Sequence, residues 1–369
     1  MIIGIDGNEA NVSRRTGSGQ YAFNLLHSLA KINREHIFYI YLKSAPLFDL
    51  PPQNQSWHYV VLKPQKLWTK IALPLRLLFN PQKLDLFYSP GHYLPAFSKI
   101  KLIPTIHDIG YLQYQDQFTK KDLYQLINWT QSSLKQASHI IAVSEFTKKE
   151  LQKEYKIPPQ KISIVYNGIN SPQKITNTDI QQTLRKFKIN HPYFLALGTL
   201  KPNKNYPFLI ESFSNFLKLS NTKALSYQLV IAGKKGWLFD DIQKVLKKLK
   251  IKNEVIFTDY ISEKEKDCLY SQAISLIIPS TYEGFGIPAI EAQIRHCPVI
   301  ASNIPPLSEV LGDSALFIDP KKTKTLTDAF KKITQKAIRE KLIKSGLVNA
   351  SRFTWDNSAK QLISVFNQV

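Results

Sequence analysis

The sequence predicts an α/β protein of two domains, each a parallel sheet wrapped in helices. Three observations lead there. Short apolar runs of strand length alternate with amphipathic stretches of helix length along nearly the whole chain, the pattern of βαβ units. The alternation is interrupted by the polar stretch from Asn170 to Ile189 and then resumes. At 369 residues the chain has room for two cores of ordinary size.

Taken in order, Ile2–Asp6 reads as the first strand and Tyr21–Lys31 as the first helix, with Phe23, Leu26 and Leu29 on its apolar face. Further strands are expected at Ile37–Leu42, His58–Leu62, Leu84–Tyr88, Leu102–Ile106, Ile140–Val143 and Ile162–Val165. Helices stand out at Lys120–Gln136 and Glu145–Tyr155, the second with Ser144 as N-cap. These make a first domain of residues 1–172, and Asn170–Ile189 is expected to link it to the next. The second series spans residues 190–354. It opens with strand Tyr193–Leu197, helix Tyr206–Leu219, strand Gln228–Ala232 and helix Leu238–Lys250. Strand Val255–Thr258, helix Glu263–Ala273 and strand Ile274–Ile278 follow, with short strands at Val299–Ala301 and Leu316–Ile318. Trp355–Val369 is helical by pattern. Two such domains facing one another leave a cleft, the expected place for a ligand.

Composition narrows the class. With 43% hydrophobic and 11% aromatic residues the chain is not disordered. Cys268 and Cys297 fit neither a metal spacing nor a disulfide framework, which points to a reducing compartment. The N-terminus runs straight from strand to loop, and no apolar run approaches a membrane span, so the expected location is cytoplasmic. The net charge of +21 suits nucleic acid, an anionic membrane surface or phosphate-bearing substrates, or reflects only solvated lysines. In Lys66–Lys83, Trp68, Ile71, Leu75 and Leu78 share a helical face ringed by Lys66, Lys70, Arg76 and Lys83, and Pro74 should kink it. That segment is either a packed surface helix or an interfacial membrane helix.

The most informative stretch is Ser280–Val299, STYEGFGIPAIEAQIRHCPV. Glu283 and Glu291 stand eight residues apart, with Gly284, Gly286 and Pro288 between them. Pro288 suits a helix start, so Glu283 falls in the loop beyond a strand and Glu291 about one turn into the helix. In an open α/β sheet that is the ligand-binding edge. The free N–H groups of the helix terminus suit hydroxyls or phosphates. The structural alternative is a strand, a turn and a helix with two solvated glutamates.

EGFGIPAIEA resembles the Glu-x7-Glu signature of retaining nucleotide-sugar glycosyltransferases of the GT-B fold, and more narrowly their family 4 (glycosyltransferase group 1). The resemblance covers nearly the whole chain, strongly after Gly198 and loosely from Asn33 to Ile100. It implies two Rossmann-like domains facing across a cleft, the first on the acceptor side, the second binding the donor, and a C-terminal helix 355–369 crossing back to the first. RTGSGQYAFNLL is similar to the family's first glycine-rich loop, which places the amides around Gly17 and Gly19 at the donor diphosphate. HDIGYL is similar to the segment that faces the donor sugar and makes His107 a catalytic candidate. GTLKPNKN is similar to the segment whose basic residue, here Lys204, grips the diphosphate. The family's usual second cation is missing, since Thr199 and Asn203 occupy its two habitual positions, and Lys201, Lys234 or Lys235 are left to supply the charge. Glu283 is implied to meet the donor sugar, the amides of Gly284, Phe285, Gly286 and Ile287 its hydroxyls, and Glu291 the ribose. His296 stands where the family habitually has glycine.

The expected activity is retaining transfer of a sugar, with mannose the candidate, from a GDP- or UDP-sugar to a glycan or lipid-linked acceptor. No cofactor and no metal are expected, because cations and helix termini neutralise the diphosphate and no DxD or His/Asp cluster is present. The basic Lys66–Lys101 region suggests peripheral binding to an anionic membrane at the inner face of the cell. A nucleic-acid-binding protein is the alternative from charge alone, but the lysines are scattered and no such module is present. A non-catalytic sugar-nucleotide-binding protein is the other alternative.

Overall fold

The computed structural model describes residues 1–15, 17–219, 226–234 and 239–369. The chain divides into two compact units, Met1–Gly168 with Phe353–Val369, and Ile169–Arg352.

The first unit is a seven-stranded parallel sheet of β1 (Ile2–Asp6), β2 (Ile37–Leu42), β3 (Trp57–Val61), β4 (Leu86–Ser89), β5 (Lys101–Ile106), β6 (Ile140–Ala142) and β7 (Ile162–Ile164). Its strand order is β3-β2-β1-β4-β5-β6-β7, so the direction of winding reverses between β1 and β4. The helices are α1 (Ser18–Ile32), α2 (Leu73–Phe79), α3 (Lys120–Gln136) and α4 (Glu145–Tyr155). Both faces of the sheet are covered, which is why its strands read as near-continuous apolar runs. Ile3, Ile5, Phe38 and Ile40 pack toward α1, while Tyr41, Phe87, Leu102 and Ile106 pack with Leu73, Leu77, Leu134 and Leu151 on the other face. Ser144 caps α4 as its sequence position predicts, its Oγ accepting from the Thr147 N–H at 3.0 Å.

The second unit is a six-stranded parallel sheet of β8 (Tyr193–Leu197), β9 (Gln228–Ala232), β10 (Val255–Asp259), β11 (Ser275–Ile278), β12 (Val299–Ser302) and β13 (Leu316–Ile318), in the order β10-β9-β8-β11-β12-β13. Here the winding reverses between β8 and β11. Around it lie α5 (Asn177–Lys186), α6 (Tyr206–Leu219), α7 (Phe239–Leu249), α8 (Glu263–Gln272), α9 (Ile287–Ile294), α10 (Pro305–Leu311), α11 (Thr323–Ile333) and α12 (Lys336–Ala350). One face is knitted by edge-to-face rings, with Phe194 4.5 Å from Phe330 and 5.7 Å from Phe216.

Three expectations need correction. Asn170–Ile189 is not a bare linker. Its middle is α5, closed by a capping box between Thr176 and Asp179 and packed on α8. The polarity of the stretch hid a short helix whose one buried capping-side residue is Thr183. Second, Lys66–Lys83 is not one helix with one apolar face. Pro74 lies in the first turn of α2, and the backbone ahead of it forms a π turn over Trp68–Ala72. The extra residue in that turn rotates Trp68 into the core, while Ile71, Leu75 and Leu78 stay outside with Leu67 and Phe79. Third, Phe23 is only half-buried, its ring lying 3.9 Å beneath the Arg15 guanidinium, and Tyr21, Ala22 and Leu25 join Leu26 and Leu29 in the core.

The last helix, α13 (Trp355–Gln368), packs against α1 in the first unit. Trp355, Ala359, Leu362, Val365 and Phe366 form its buried stripe at helical spacing. Asp356 caps the contact, accepting from Ser28 Oγ at 3.0 Å and Lys31 Nζ at 2.7 Å. Among the described residues no helix is long and apolar enough to cross a membrane. Cys268 and Cys297 are buried and free.

Where the chain leaves the first unit and where it returns, two backbones touch. A Cβ at Gly168 would sit 2.3 Å from the Trp355 nitrogen. No side-chain movement relieves a clash with backbone, so Gly168→Ala is expected to destabilise the protein by about 1–3 kcal/mol. Chemical denaturation of the purified variant checks this, and an unchanged midpoint would show that the junction yields freely.

Candidate functional site

In each sheet, loops diverge at the carboxyl ends of the two strands that flank the reversal, which leaves a crevice there. The sequence candidates of the second unit gather at its crevice. After β8 the chain turns through Gly198 (φ 144°) and a 3-10 turn, Pro202–Lys204. After β11 it runs through Ser280 and Glu283 to α9. The two loops are joined by Asn203, whose Nδ2 donates to the Tyr282 carbonyl at 3.1 Å and whose own carbonyl accepts from the Thr281 N–H at 2.8 Å. Asn203 therefore ties the loops together at a position where a second cation is habitual. Its Oδ1 is buried without a partner.

Across this junction Lys204 Nζ lies 2.6 Å from Glu283 Oε1, and Ser280 Oγ donates to the same oxygen at 2.7 Å. Both side chains are largely enclosed, at 19% and 12% exposure. The geometry holds one carboxylate and one ammonium ready, each with hydrogen-bonding capacity left for a ligand. Thr199 is exposed, and its carbonyl accepts from the Lys201 N–H at 2.8 Å. Lys201 is exposed as well. Lys234 lies 5.7 Å from the Tyr260 ring, and Lys235 is outside the described residues. Burial, reinforced by Glu283, pushes the Tyr206 hydroxyl far above its usual range, and that hydroxyl donates to the Gly198 carbonyl at 3.0 Å.

Helix α9 begins at Gly286, whose φ of 91° favours glycine and where a Cβ would meet Leu307 at 2.5 Å. Phe285 is 4% exposed, so only its backbone is open to a ligand. The amides from Gly284 to Ile287 precede or open the helix, as expected for a terminus that receives hydroxyls. Glu291 follows one turn in. Its carboxylate is held by Lys266 Nζ at 2.8 Å and by the Tyr270 hydroxyl at 3.4 Å. Burial would lower the Lys266 pKa, but Glu291 and Glu263 (2.8 Å) outweigh it and hold it above the ordinary lysine value. Beneath them Arg295 pairs with buried Asp267, donates to the Glu291 carbonyl at 3.1 Å, and lies 5.7 Å over the Tyr270 ring. Asp267 also accepts from the Gln173 N–H at 2.7 Å.

Sequence reasoning missed Lys266, Asp267, Tyr270 and Arg295. A signal existed: Lys266 and Tyr270 stand four apart on α8 and so share a face. His296 has a φ of 59°, the left-handed conformation that favours glycine. A side chain is carried here at some strain.

Gly17, Gly19 and His107 belong to the first unit. Gly17 precedes α1 with φ 50°, and no side chain caps the helix, so its first amides are free for an anion. A Cβ at Gly19 would stand 3.0 Å from the Glu9 carbonyl, so this glycine also permits close packing. Arg15, in the same loop, is tied to Asp49 by two bonds of 2.7 and 2.9 Å and is structural. His107 follows β5. Its Nε2 donates to the Pro90 carbonyl at 2.9 Å, which leaves Nδ1 as an acceptor. Its backbone N–H donates to His92 Nε2 at 2.9 Å, the rings stack at 5.8 Å, and Tyr21 meets His107 edge-on at 4.7 Å. Burial lowers the pKa of His107 and pushes His92 down to about 3, so both are neutral at physiological pH. Among the described residues no group of three or more His, Cys, Asp or Glu is placed to hold a metal ion.

The chain's likeness to known proteins agrees with this arrangement. Residues 15–172 match the family described as Glycosyltransferase Family 4, and residues 179–348 match Glycosyl transferases group 1. The O-antigen chain mannosyltransferase RfbU of Salmonella typhimurium is 33% identical over 263 residues, covering 71% of this chain and 69% of that one. The O-antigen chain mannosyltransferase B of Escherichia coli is 26% identical over 369 residues, covering 95% and 96%. Among solved structures, Anabaena HepE in complex with UDP and glucose superposes with a TM-score of 0.74 at 16% identity, over 100% of this chain and 99% of that one. The two Rossmann-like units are thus those of a GT-B fold, and the chain belongs to the group 1, family 4 glycosyltransferases.

Proposed function

We propose that this glycosyltransferase moves mannose, with retention of configuration, from a nucleoside-diphospho-sugar to a lipid-linked glycan at an anionic membrane surface. The observation that carries the donor half is the Lys204–Glu283 pair at the second unit's crevice. The relatives named as mannosyltransferases support mannose, and with it GDP-mannose ahead of a UDP-sugar. HepE, which holds UDP, supports a nucleotide in the same fold.

In this reading the donor's diphosphate takes over Lys204, and Glu283 is released to the sugar hydroxyls. The C1–O bond to the diphosphate breaks as the acceptor oxygen bonds to the same face of C1. The acceptor's proton passes to the departing phosphate oxygen. Charge grows on that phosphate, and Lys204 with the amides near Gly17 and Gly19 stabilises it. His107 offers Nδ1 to the donor sugar, and Glu291, already oriented by Lys266 and Tyr270, accepts from the ribose hydroxyls. Neither carboxylate is a glycosidase-type acid, since Glu291 serves the nucleotide.

Lys204→Ala removes a charge-assisted bond and is expected to weaken GDP or UDP binding by about ten- to a hundredfold. Glu291→Ala should weaken it less, about tenfold, and leaves Lys266 paired with Glu263. Calorimetric titration reads both, and wild-type affinity in the two variants would place the donor elsewhere. Because cations and amides neutralise the diphosphate, turnover is expected to survive EDTA. Activity lost in chelator and restored by magnesium or manganese would overturn that expectation.

The membrane half rests on the exposed stripe. Leu67, Ile71, Leu75, Leu78 and Phe79 are 37–79% exposed, and Lys63, Lys66 and Lys70 beside them are exposed too. Arg76, expected among the surrounding cations, instead turns to the Tyr41 hydroxyl. An apolar row flanked by lysines fits an anionic bilayer, where each nearby lysine adds about 1 kcal/mol. Flotation with phosphatidylglycerol vesicles should bring the protein up at low salt, less as salt rises, and less for the Lys63/Lys66/Lys70→Glu variant. A protein that stays down at low salt would indicate a water-soluble acceptor.

A further inference from the structure

The first unit holds a cavity of about 610 Å³ that the donor reading leaves unused. It lies where that sheet's winding reverses, between the loops after β1 and β4. Asp6 and Glu9 supply carboxylates from the first loop, and Ser89, Pro90 and Gly91 line it from the second. Asp6 Oδ1 is occupied by the N–H and Nδ2 of Asn8 at 3.0 and 2.8 Å, which leaves Oδ2 for a ligand. Glu9 is set by two glycines. A Cβ at Gly91 would lie 3.1 Å from its Oε1, and one at Gly19 would lie 3.0 Å from its carbonyl. The walls are aromatic: Tyr93 and Trp129 meet edge-to-face at 5.5 Å. Lys70 Nζ rests 4.5 Å from the Trp129 ring, which engages that cation, and Lys43 is the other lysine of the lining.

Carboxylates opposite flat aromatic rings are the chemistry that grips a pyranose, with hydroxyls to the acids and the C–H face on the ring. The volume falls within the usual range for small-molecule sites. Two anchor points fix what the ligand does. The Pro90 carbonyl that lines the cavity is the one bound by His107, so the cavity opens beside the histidine assigned to the donor sugar. At the other end Leu67 lines the cavity and begins the exposed stripe of Leu67, Ile71 and Leu75.

We propose that this cavity is the acceptor-saccharide site and takes an uncharged pyranose, stacked on Trp129 and held by Glu9 and Asp6. It rests on the transferase reading above. Two carboxylates against Lys43 disfavour a sugar acid, because the ligand's own carboxylate would face Glu9 and Asp6. A lipid attached to the saccharide leaves past Leu67 along the stripe.

The test uses the full chain and ligand-observed saturation-transfer NMR. The probes are the methyl glycosides of mannose, glucose and galactose, and those of glucuronic and galacturonic acid. At least one neutral glycoside should bind about tenfold more tightly than its sugar acid. Glu9→Gln should reduce that preference below about threefold, and Trp129→Ala should weaken the neutral glycoside about tenfold or more. Both variants should keep the wild-type thermal shift with GDP or UDP, which shows that they fold and that the second unit is intact. Sugar acids bound as well as neutral sugars, no neutral glycoside bound at all, or wild-type affinity in both variants would each overturn the proposal. If the wild type binds neutral glycosides but neither GDP nor UDP, it is the donor reading that fails and the cavity assignment that stands.

Discussion

In both sheets the strand that opens the unit, β1 or β8, lies inside the sheet rather than at its edge. Crossovers in a parallel sheet are right-handed, so helices that lead away on opposite sides of that strand cover opposite faces. Nothing then covers the ends of the two strands at the reversal, and their loops part. Every candidate residue lies in one of those loops or on a helix beginning there. In the second unit the opening brings Lys204 against Glu283. In the first it holds Glu9 against Gly91, with His107 one strand further along.

What fills such an opening is charge, and the chain treats its charges in two ways. Arg295 and Asp267 are enclosed, at 4% and 2% exposure, and are satisfied by Gln173 and the Glu291 carbonyl. A buried pair adds little net stability against an apolar replacement, but breaking one is costly. Its value here is positional, because Arg295 fixes the turn that carries Glu291. Lys204 and Glu283 differ: they are half-enclosed and meet through a single contact. A ligand with its own anion can exchange into that contact without leaving either charge bare. The first pair holds geometry, and the second is poised for exchange.

The sequence made the strands legible because both faces of each sheet are buried, and apolar runs such as Gln228–Ala232 can be nothing else at that length. The motif from Glu283 to Glu291 was legible because Gly286 and Pro288 are backbone requirements, and such requirements appear as residue identity. Three kinds of feature were not legible. Helix α5 is polar and short, so its capping box was its main trace. The π turn at Trp68 arises from a proline six residues later, and a fixed helical period cannot register an inserted residue. Lys266 and Tyr270 reach Glu291 from another helix, and nothing local to α8 says which element its polar face will meet. His296 shows the converse. Its identity hides a backbone need that only its positive φ reveals.

The charge of +21 is resolved by where the cations sit. Arg15, Lys204, Lys266 and Arg295 are engaged within the fold, and Arg76 turns inward to Tyr41. A nucleic-acid surface needs cations along a path together with groups that read or stack on bases. The aromatic rings beside lysines here, Trp129 and Tyr93, line a cavity rather than a track. The exposed companions of Lys63, Lys66 and Lys70 are instead aliphatic: Leu67, Ile71, Leu75 and Leu78. Aliphatic side chains gain nothing from phosphate or from base edges, but they gain from hydrocarbon. The same lysines beside that row therefore select an anionic bilayer over a nucleic acid, and the cavity entered past Leu67 gives that location a purpose. A glycan carried on a lipid reaches this cavity from the side on which its lipid is already dissolved.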